Sequence, residues 1–142
     1  MTTLRRTVRT DAAPEDVFPY LADFRNAPEW DSGTVSCDRV SGDGGPGTVY
    51  RNVSTFAGRK VALDYTVECA ERPQFVIVGR NSTTTSRDTI TVVPSGTGSE
   101  VDYLAEFSFS GPARLLGPLM KPLLDRLGDR TAQTLAVALA QL

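Results

Sequence analysis

The sequence predicts an α+β fold in which a curved antiparallel sheet of about seven strands is covered on one face by a long C-terminal helix. The segment 111–142 opens on a Gly-Pro pair and then repeats apolar residues at helical spacing. Before it, alternating apolar and polar runs are separated by short turn signals, which favour antiparallel neighbours. Only this C-terminal segment is long enough to cover the apolar face of such a sheet.

The C-terminal segment is expected to have an apolar face, a charged face and an interruption at two prolines. Its apolar stripe is expected to contain Leu116, Met120, Leu123, Leu124, Leu127, Leu135, Ala138, Leu139 and Leu142. The opposite face carries Arg114, Lys121, Asp125, Arg126, Asp129 and Arg130. Because Pro118 and Pro122 each remove a backbone hydrogen bond, we expect an interruption there. Leu123–Leu142 is then the predicted anchor on the sheet, and Ala113–Pro122 the predicted movable wall of a pocket.

Composition indicates one globular domain over residues 1–142, since 40% of the residues are hydrophobic and 23% are charged. The formal net charge is −2 and no Lys/Arg cluster is present, so a nucleic-acid interface is not expected. No apolar run approaches the ~20 residues of a membrane span. The N-terminal residues do not resemble a signal peptide, so a cytoplasmic location is expected. The oligomeric state is left open.

Histidine and cysteine usage restricts the chemistry. The chain contains no histidine, which removes Ser-His and Cys-His nucleophile pairs and histidine-based metal sites. Cys37 and Cys69 fall in separate predicted strands and lack the CxxC spacing of metal or redox motifs. We expect both to be buried free thiols, and we expect neither a metal site nor a cofactor.

The N-terminal quarter reads as one strand and two short helices. Leu4–Thr10 alternates in polarity and precedes a helix that starts at Pro14, with acidic residues in its first turn. Pro19 lies inside this helix and is expected to bend it. A second brief helical turn is expected over Asn26–Trp30.

Six further strands are expected between the short helices and the C-terminal helix. They are Val35–Val40, Val49–Phe56, Lys60–Cys69, Phe75–Arg80, Ser86–Val93 and Val101–Phe109. Alternation predicts inward positions at Val61, Leu63, Tyr65, Val67 and Cys69, and at Val101, Tyr103, Ala105, Phe107 and Phe109. If Ile90 and Val92 point inward, then Ser86 and Asp88 do so too. The orientations of Val49–Phe56 and of Arg80 are left open.

Two stretches carry a family resemblance. These are Ala13–Phe18 continuing to Leu21–Asp23 and Trp30, and the tail Leu115–Leu124. With the element order, the chain resembles the START-like (SRPBCC) superfamily, and within it the polyketide cyclase/dehydrase and lipid transport group. The resemblance covers essentially the whole chain. It implies a helix-grip architecture, in which the sheet wraps the long helix and leaves a cavity between them.

Aromatic residues are the main signal for a binding site. Several fall on inward strand positions, and the resemblance places others at one end of the cavity. The predicted ligand-binding residues are Phe24, Trp30, Phe56, Tyr65, Tyr103, Phe107, Met120 and Leu124. An aromatic-lined pocket of this kind suits a small hydrophobic or planar molecule.

Three functions remain open at this point. The favoured one is binding, transport or sequestration of a small hydrophobic or aromatic molecule. The alternative is a polyketide cyclase, aromatase or dehydratase type of enzyme, with candidate catalytic residues Asp88, Tyr65, Tyr103 and Asn52. Arg51, Arg80 and Arg87 are candidate partners of a ligand carboxylate or enolate. The third is an interaction module that binds another protein through an exposed apolar patch.

Overall fold

The computed structural model describes residues 1–142 and confirms the predicted α+β architecture. The strands are β1 (Thr2–Thr10), β2 (Thr34–Ser41), β3 (Val49–Phe56), β4 (Arg59–Glu71), β5 (Gln74–Arg80), β6 (Thr84–Ser95) and β7 (Gly98–Phe109). They form one sheet in the order β1-β7-β6-β5-β4-β3-β2, and every neighbouring pair is antiparallel. Strands β2 to β7 follow one another as hairpins, whereas β1 and β2 lie at opposite edges.

The helices lie in the connection between β1 and β2 and after β7. They are α1 (Pro14–Ala22), α2 (Ala27–Trp30) and α3 (Gly117–Ala140), with 3-10 segments at Phe24–Asn26 and Gly111–Leu116. Helix α1 begins at Pro14, as predicted, and continues through Pro19 to its end. Asp23 then starts the first 3-10 segment, because its Oδ1 accepts a hydrogen bond from the Arg25 backbone N–H at 3.2 Å.

No helix combines the length and the hydropathy that a bilayer crossing requires.

Helix α3 is continuous over 24 residues, so the predicted interruption at Pro118 and Pro122 does not occur. Pro118 lies in the first turn, where a helix has no N–H bond to lose. Pro122 lies inside the helix and removes one backbone hydrogen bond, which the remaining turns tolerate. The change of structure falls instead at Gly117, where the 3-10 segment passes into the α-helix.

The buried face of α3 is narrower than the predicted stripe. Its buried residues are Gly117, Leu124, Gly128, Thr131, Leu135 and Leu139. Leu116, Leu123 and Leu142, which were expected in the stripe, are 49%, 37% and 48% exposed. Leu123 lies about 100° around the helix from Leu124, and the other two lie outside α3. Apart from Gly117, the buried residues of the helix run from Leu124 to Leu139.

A bulge in β4 corrects the prediction that Cys69 is buried. Val67 pairs with Ile77 but Cys69 pairs with Val76, so β4 contains one extra residue at this point. The extra residue reverses the alternation of side chains. Ala70 consequently packs against the core, while Cys69 is only half-buried. Cys37 is buried, as predicted.

Helix α3 crosses β1 at Gly128, and this close approach makes a testable prediction. A Cβ at position 128 would overlap Leu4 Cδ1, and Leu4 is only 3% exposed. Gly128→Ala is therefore expected to lower the free energy of unfolding by about 1–3 kcal/mol in urea titrations. In a Leu4→Ala background, the same substitution is expected to stabilise by up to about 1 kcal/mol through helix propensity. Equal effects in both backgrounds would contradict this account.

Candidate functional site

A cavity of about 130 Å³ lies between the inner face of the sheet and α3. Its walls come from β1, β3, β4, β6, β7 and α3, with Asp31 and Gly33 from the α2–β2 connection. The lining is largely apolar and contains the aromatic residues Phe56, Tyr65, Tyr103, Phe107 and Phe109. A volume of about 150 Å³ suffices in another protein for a benzene ring. The cavity therefore suits a ligand with roughly one ring.

Most of the predicted ligand-binding residues lie in this lining. They are Phe56, Tyr65, Tyr103, Phe107, Met120 and Leu124. Phe24 and Trp30 lie outside it, because the short helical segment that carries them packs into the core, where they are 1% and 0% exposed. Their rings contact the cavity tyrosines from behind, with centroids 5.0 Å apart for Phe24 and Tyr65 and 5.8 Å apart for Trp30 and Tyr103. They support the wall of the cavity.

Strand β6 carries the main polar group of the cavity. Ile90 and Val92 are buried on its inner side, so Ser86 and Asp88 also point inward, as the alternation required. Ser86 Oγ donates a hydrogen bond to Asp88 Oδ1 at 2.8 Å. The Tyr103 hydroxyl donates to Asp88 Oδ2 at 3.3 Å. Three of the residues that line the cavity thus form one hydrogen-bonded cluster.

Burial gives Asp88 an unusual affinity for protons. Asp88 is only 4% exposed, and the loss of water around its carboxyl raises the pKa of that group to about 7. The negative charge of Asp31 acts in the same direction, whereas the hydrogen bonds from Ser86 and Tyr103 oppose it. Asp88 therefore gains or loses a proton near neutral pH, which is the range in which general acids and bases work best.

Tyr65 and Tyr103 are neutral phenols at any physiological pH. Burial, and next the charge of Asp88, raise the pKa of each hydroxyl well above its usual value. Both rings lie in the cavity wall, so they offer polar hydroxyls at the ends of apolar surfaces.

The position of the Tyr65 ring depends on Gly79. The two residues are paired across β4 and β5. A Cβ at position 79 would lie 2.6–2.7 Å from three ring carbons of Tyr65, which is closer than real Cβ atoms approach other atoms. The glycine thus allows the ring to lie across the β5 backbone.

A second polar cluster centres on Asp31, which the sequence reading did not single out. Its Oδ1 accepts hydrogen bonds from the Gly33 N–H at 3.1 Å and from Thr131 Oγ1 at 3.2 Å. Its Oδ2 accepts from Thr34 Oγ1 at 2.9 Å. Desolvation raises the pKa of this carboxyl, while the three hydrogen bonds lower it. The sequence Asp-Ser-Gly signals the local turn, but the bond to Thr131 depends on how α3 docks.

Asn52 belongs to the edge of this second cluster and not to the cavity lining. It is 3% exposed, and its Nδ2 donates to Thr34 Oγ1 at 3.2 Å. Its Oδ1 accepts from Ser54 Oγ at 2.7 Å. Both ends of the amide are therefore engaged by protein groups.

The three candidate arginines lie outside the cavity. Arg51 Nε contacts Asp64 Oδ1 at 3.1 Å, and Arg87 Nη1 contacts Glu68 Oε1 at 2.7 Å. Arg80 is exposed at the end of β5, which answers the open question of its orientation. No lysine or arginine is present in the lining.

Comparison with known families agrees with this geometry. The model of the family described as polyketide cyclase / dehydrase and lipid transport matches residues 1–140. The chain belongs to this family. Among curated proteins, no relative matches.

Solved structures show the same START-like fold as this member of the polyketide cyclase / dehydrase and lipid transport family. A START superfamily protein from Mycobacterium smegmatis has a TM-score of 0.83 and 18% identity, with 99% of each chain covered. A protein from Thermus thermophilus has a TM-score of 0.82 and 20% identity, covering 98% of this chain and 97% of its own. The Zhui aromatase/cyclase from a Streptomyces species has a TM-score of 0.82 and 10% identity, covering 98% and 93%. At these identities the likeness shows the fold.

Proposed function

We propose that the protein binds a small, largely apolar molecule in the cavity between the sheet and α3. The observation that carries this proposal is the aromatic lining, whose side chains leave about 130 Å³ of space unfilled. Well-packed interiors leave few voids of this size, and an empty apolar cavity forfeits the contacts of its lining. The description of the family, with its polyketide cyclases and lipid transport proteins, supports the same conclusion.

Filling the cavity tests this function. Leu124 is 3% exposed and lines the cavity, while its neighbour Leu123 is 37% exposed and does not. Leu124→Phe is expected to abolish binding of toluene and 2-phenylethanol, measured by ligand-observed NMR. Leu123→Phe is the matched control and is expected to bind as the native protein does. The proposal fails if neither probe binds the native protein, or if both variants bind alike.

A second candidate function is proton transfer of the cyclase or dehydratase type, favoured by the hydrogen-bonded cluster around Asp88. The ionised carboxylate accepts a proton from the carbon next to a ligand carbonyl. The Tyr103 hydroxyl, whose one proton points to Asp88 in the structure, then turns it away from the protonated carboxyl and donates it to the enolate oxygen that forms. Return of the proton to carbon restores the ligand. A pKa of about 7 suits the carboxyl to both steps.

Deuterium exchange tests this second function without requiring the natural substrate. We expect the protein to accelerate exchange of the methyl protons of acetophenone in D₂O, followed by NMR. Asp88→Asn is expected to remove the acceleration, whereas Asp38→Asn, which removes an exposed acid from β2, is expected to keep it. Exchange at the solvent rate with native protein, or equal rates with both variants, would rule out this function.

A further inference from the structure

The charges around the cavity are all of one sign. The lining contains two carboxyl groups, Asp31 and Asp88, and no lysine or arginine. Two arginines of neighbouring strands, Arg51 and Arg87, pair with other acids on the outer face of the sheet. The cavity therefore has a negative potential, which strengthens as its carboxyl groups ionise.

The two acids differ in how much bonding capacity remains. A carboxylate presents about four lone-pair sites. Asp31 accepts three hydrogen bonds from protein groups, which hold the turn after α2 to α3. Asp88 accepts two, from Ser86 and Tyr103. Asp88 is therefore the acid with more capacity to accept hydrogen bonds from a bound molecule. The hydrogen bonds of Asp31 hold the local structure together.

The aromatic walls favour the same sign of ligand. Five rings line the cavity, and the faces of aromatic rings carry negative partial charge that attracts cations. A buried carboxylate without a cationic partner is costly, so a cation that enters the cavity relieves this cost. An anionic group would meet both the carboxylates and the ring faces and is disfavoured.

From these observations we infer that the cavity selects ligands in which a protonated amine is attached to an apolar body of about one ring, with Asp88 as the counter-ion. The inference rests on the proposed binding function and names the class of ligand. The amine donates hydrogen bonds to the free lone pairs of Asp88. The apolar body contacts the rings and the α3 side chains Met120, Leu124 and Leu127.

The protonation of Asp88 then controls the preference for amines. The titratable groups that face Asp88 are Tyr103 from β7, Tyr65 from β4 and Asp31 from the α2–β2 connection. Both tyrosines stay neutral, and α3 and β1 contribute no charged group to the lining. Because the pKa of Asp88 is about 7, the carboxylate is present above neutral pH and is lost below it. The preference for amines should follow this change.

A set of probes with one scaffold tests the inference. 2-Phenylethylamine, 2-phenylethanol and phenylacetate are cationic, neutral and anionic between pH 5.5 and 8, and their dissociation constants are measured by NMR titration. At pH 8 we expect the amine to bind roughly ten-fold more tightly than the alcohol, and phenylacetate to bind more weakly than both. At pH 5.5 the advantage of the amine should disappear.

Two variants with the same change of charge identify the group responsible. Asp88→Asn should bind the amine and the alcohol alike at pH 8, and its retained affinity for the alcohol reports that the cavity is intact. Asp38→Asn should keep the native preference. Tighter binding of phenylacetate than of the amine, or an amine preference that survives in Asp88→Asn, would overturn the inference while the binding function stands. If none of the probes binds, both are overturned.

Discussion

Asp88→Asn is expected to raise the free energy of unfolding at pH 8, because the native protein bears the cost of a buried carboxylate there. The folded-state pKa is about 7, above the ordinary value of 3.8, so the folded state binds more protons than the unfolded state between these pH values. Stability contributed by this group is therefore complete below about pH 4 and is lost as the pH rises to about 7. Ionisation of Asp88 therefore lowers the free energy of unfolding of the native protein by roughly 4 kcal/mol between pH 4 and pH 8.

Urea titrations at pH 5, 6, 7 and 8 measure this effect. The native protein should lose unfolding free energy with increasing pH, and Asp88→Asn should lose much less. A smaller slope should remain in the variant, because burial also raises the pKa of Asp31. Asp38→Asn, at an exposed position of β2, is the control and should follow the native curve. Parallel curves for the native protein and Asp88→Asn would show that Asp88 ionises without cost.

Gly79→Ala is expected to remove ligand binding and to lower the free energy of unfolding by about 1–3 kcal/mol. The new Cβ would lie 2.6–2.7 Å from three carbons of the Tyr65 ring, so the ring must move. Tyr65 is 7% exposed, with Phe24 behind it and the cavity in front. The ring therefore has one direction in which to move, which is into the space that the ligand requires.

A double-mutant cycle isolates this contact. In a Tyr65→Ala background, Gly79→Ala should cost much less stability, because the ring is absent. Gly45→Ala is the control, since a Cβ there meets only Asp43 Oδ1, at 3.3 Å, in an exposed loop. Binding of 2-phenylethanol by NMR and unfolding in urea give the two readouts. If Gly79→Ala binds like the native protein, then the ring position does not set the cavity.

Alternation along the strands allowed much of the site to be predicted from the sequence. Tyr65, Asp88 and Tyr103 were all placed inward by the period of two, because one face of the sheet is apolar and fixes the register. Where the period is broken, prediction failed. The bulge in β4 moved Cys69 outward, and nothing in the residues around it signals an insertion.

Tertiary packing determined what the sequence could not show. The sequence placed Phe24 and Trp30 in the cavity lining, and the structure places them next to it. Only the docking of the short helices that carry them decides that they lie behind Tyr65 and Tyr103. In the sequence Asp31 has only the features of a turn residue. Its hydrogen bond from Thr131, which is 100 residues away, depends on the tertiary fold. The buried width of α3 likewise depends on its angle to the sheet, which excluded Leu123 from the interface.

The pairing of β1 with β7 and with α3 has a consequence for how the cavity arises during synthesis. Arg6 Nε donates to Asp129 Oδ1 at 3.0 Å, and Lys121 Nζ donates to the Thr3 carbonyl at 2.9 Å. These hydrogen bonds join β1 to α3, which are more than 100 residues apart in the sequence. Contacts so distant in sequence form late and slow folding. On the ribosome the hairpins β2 to β7 can assemble before α3, which follows them in the sequence, has emerged. Until α3 has emerged and docked, the cavity lacks the wall formed by Met120, Leu124, Leu127 and Thr131.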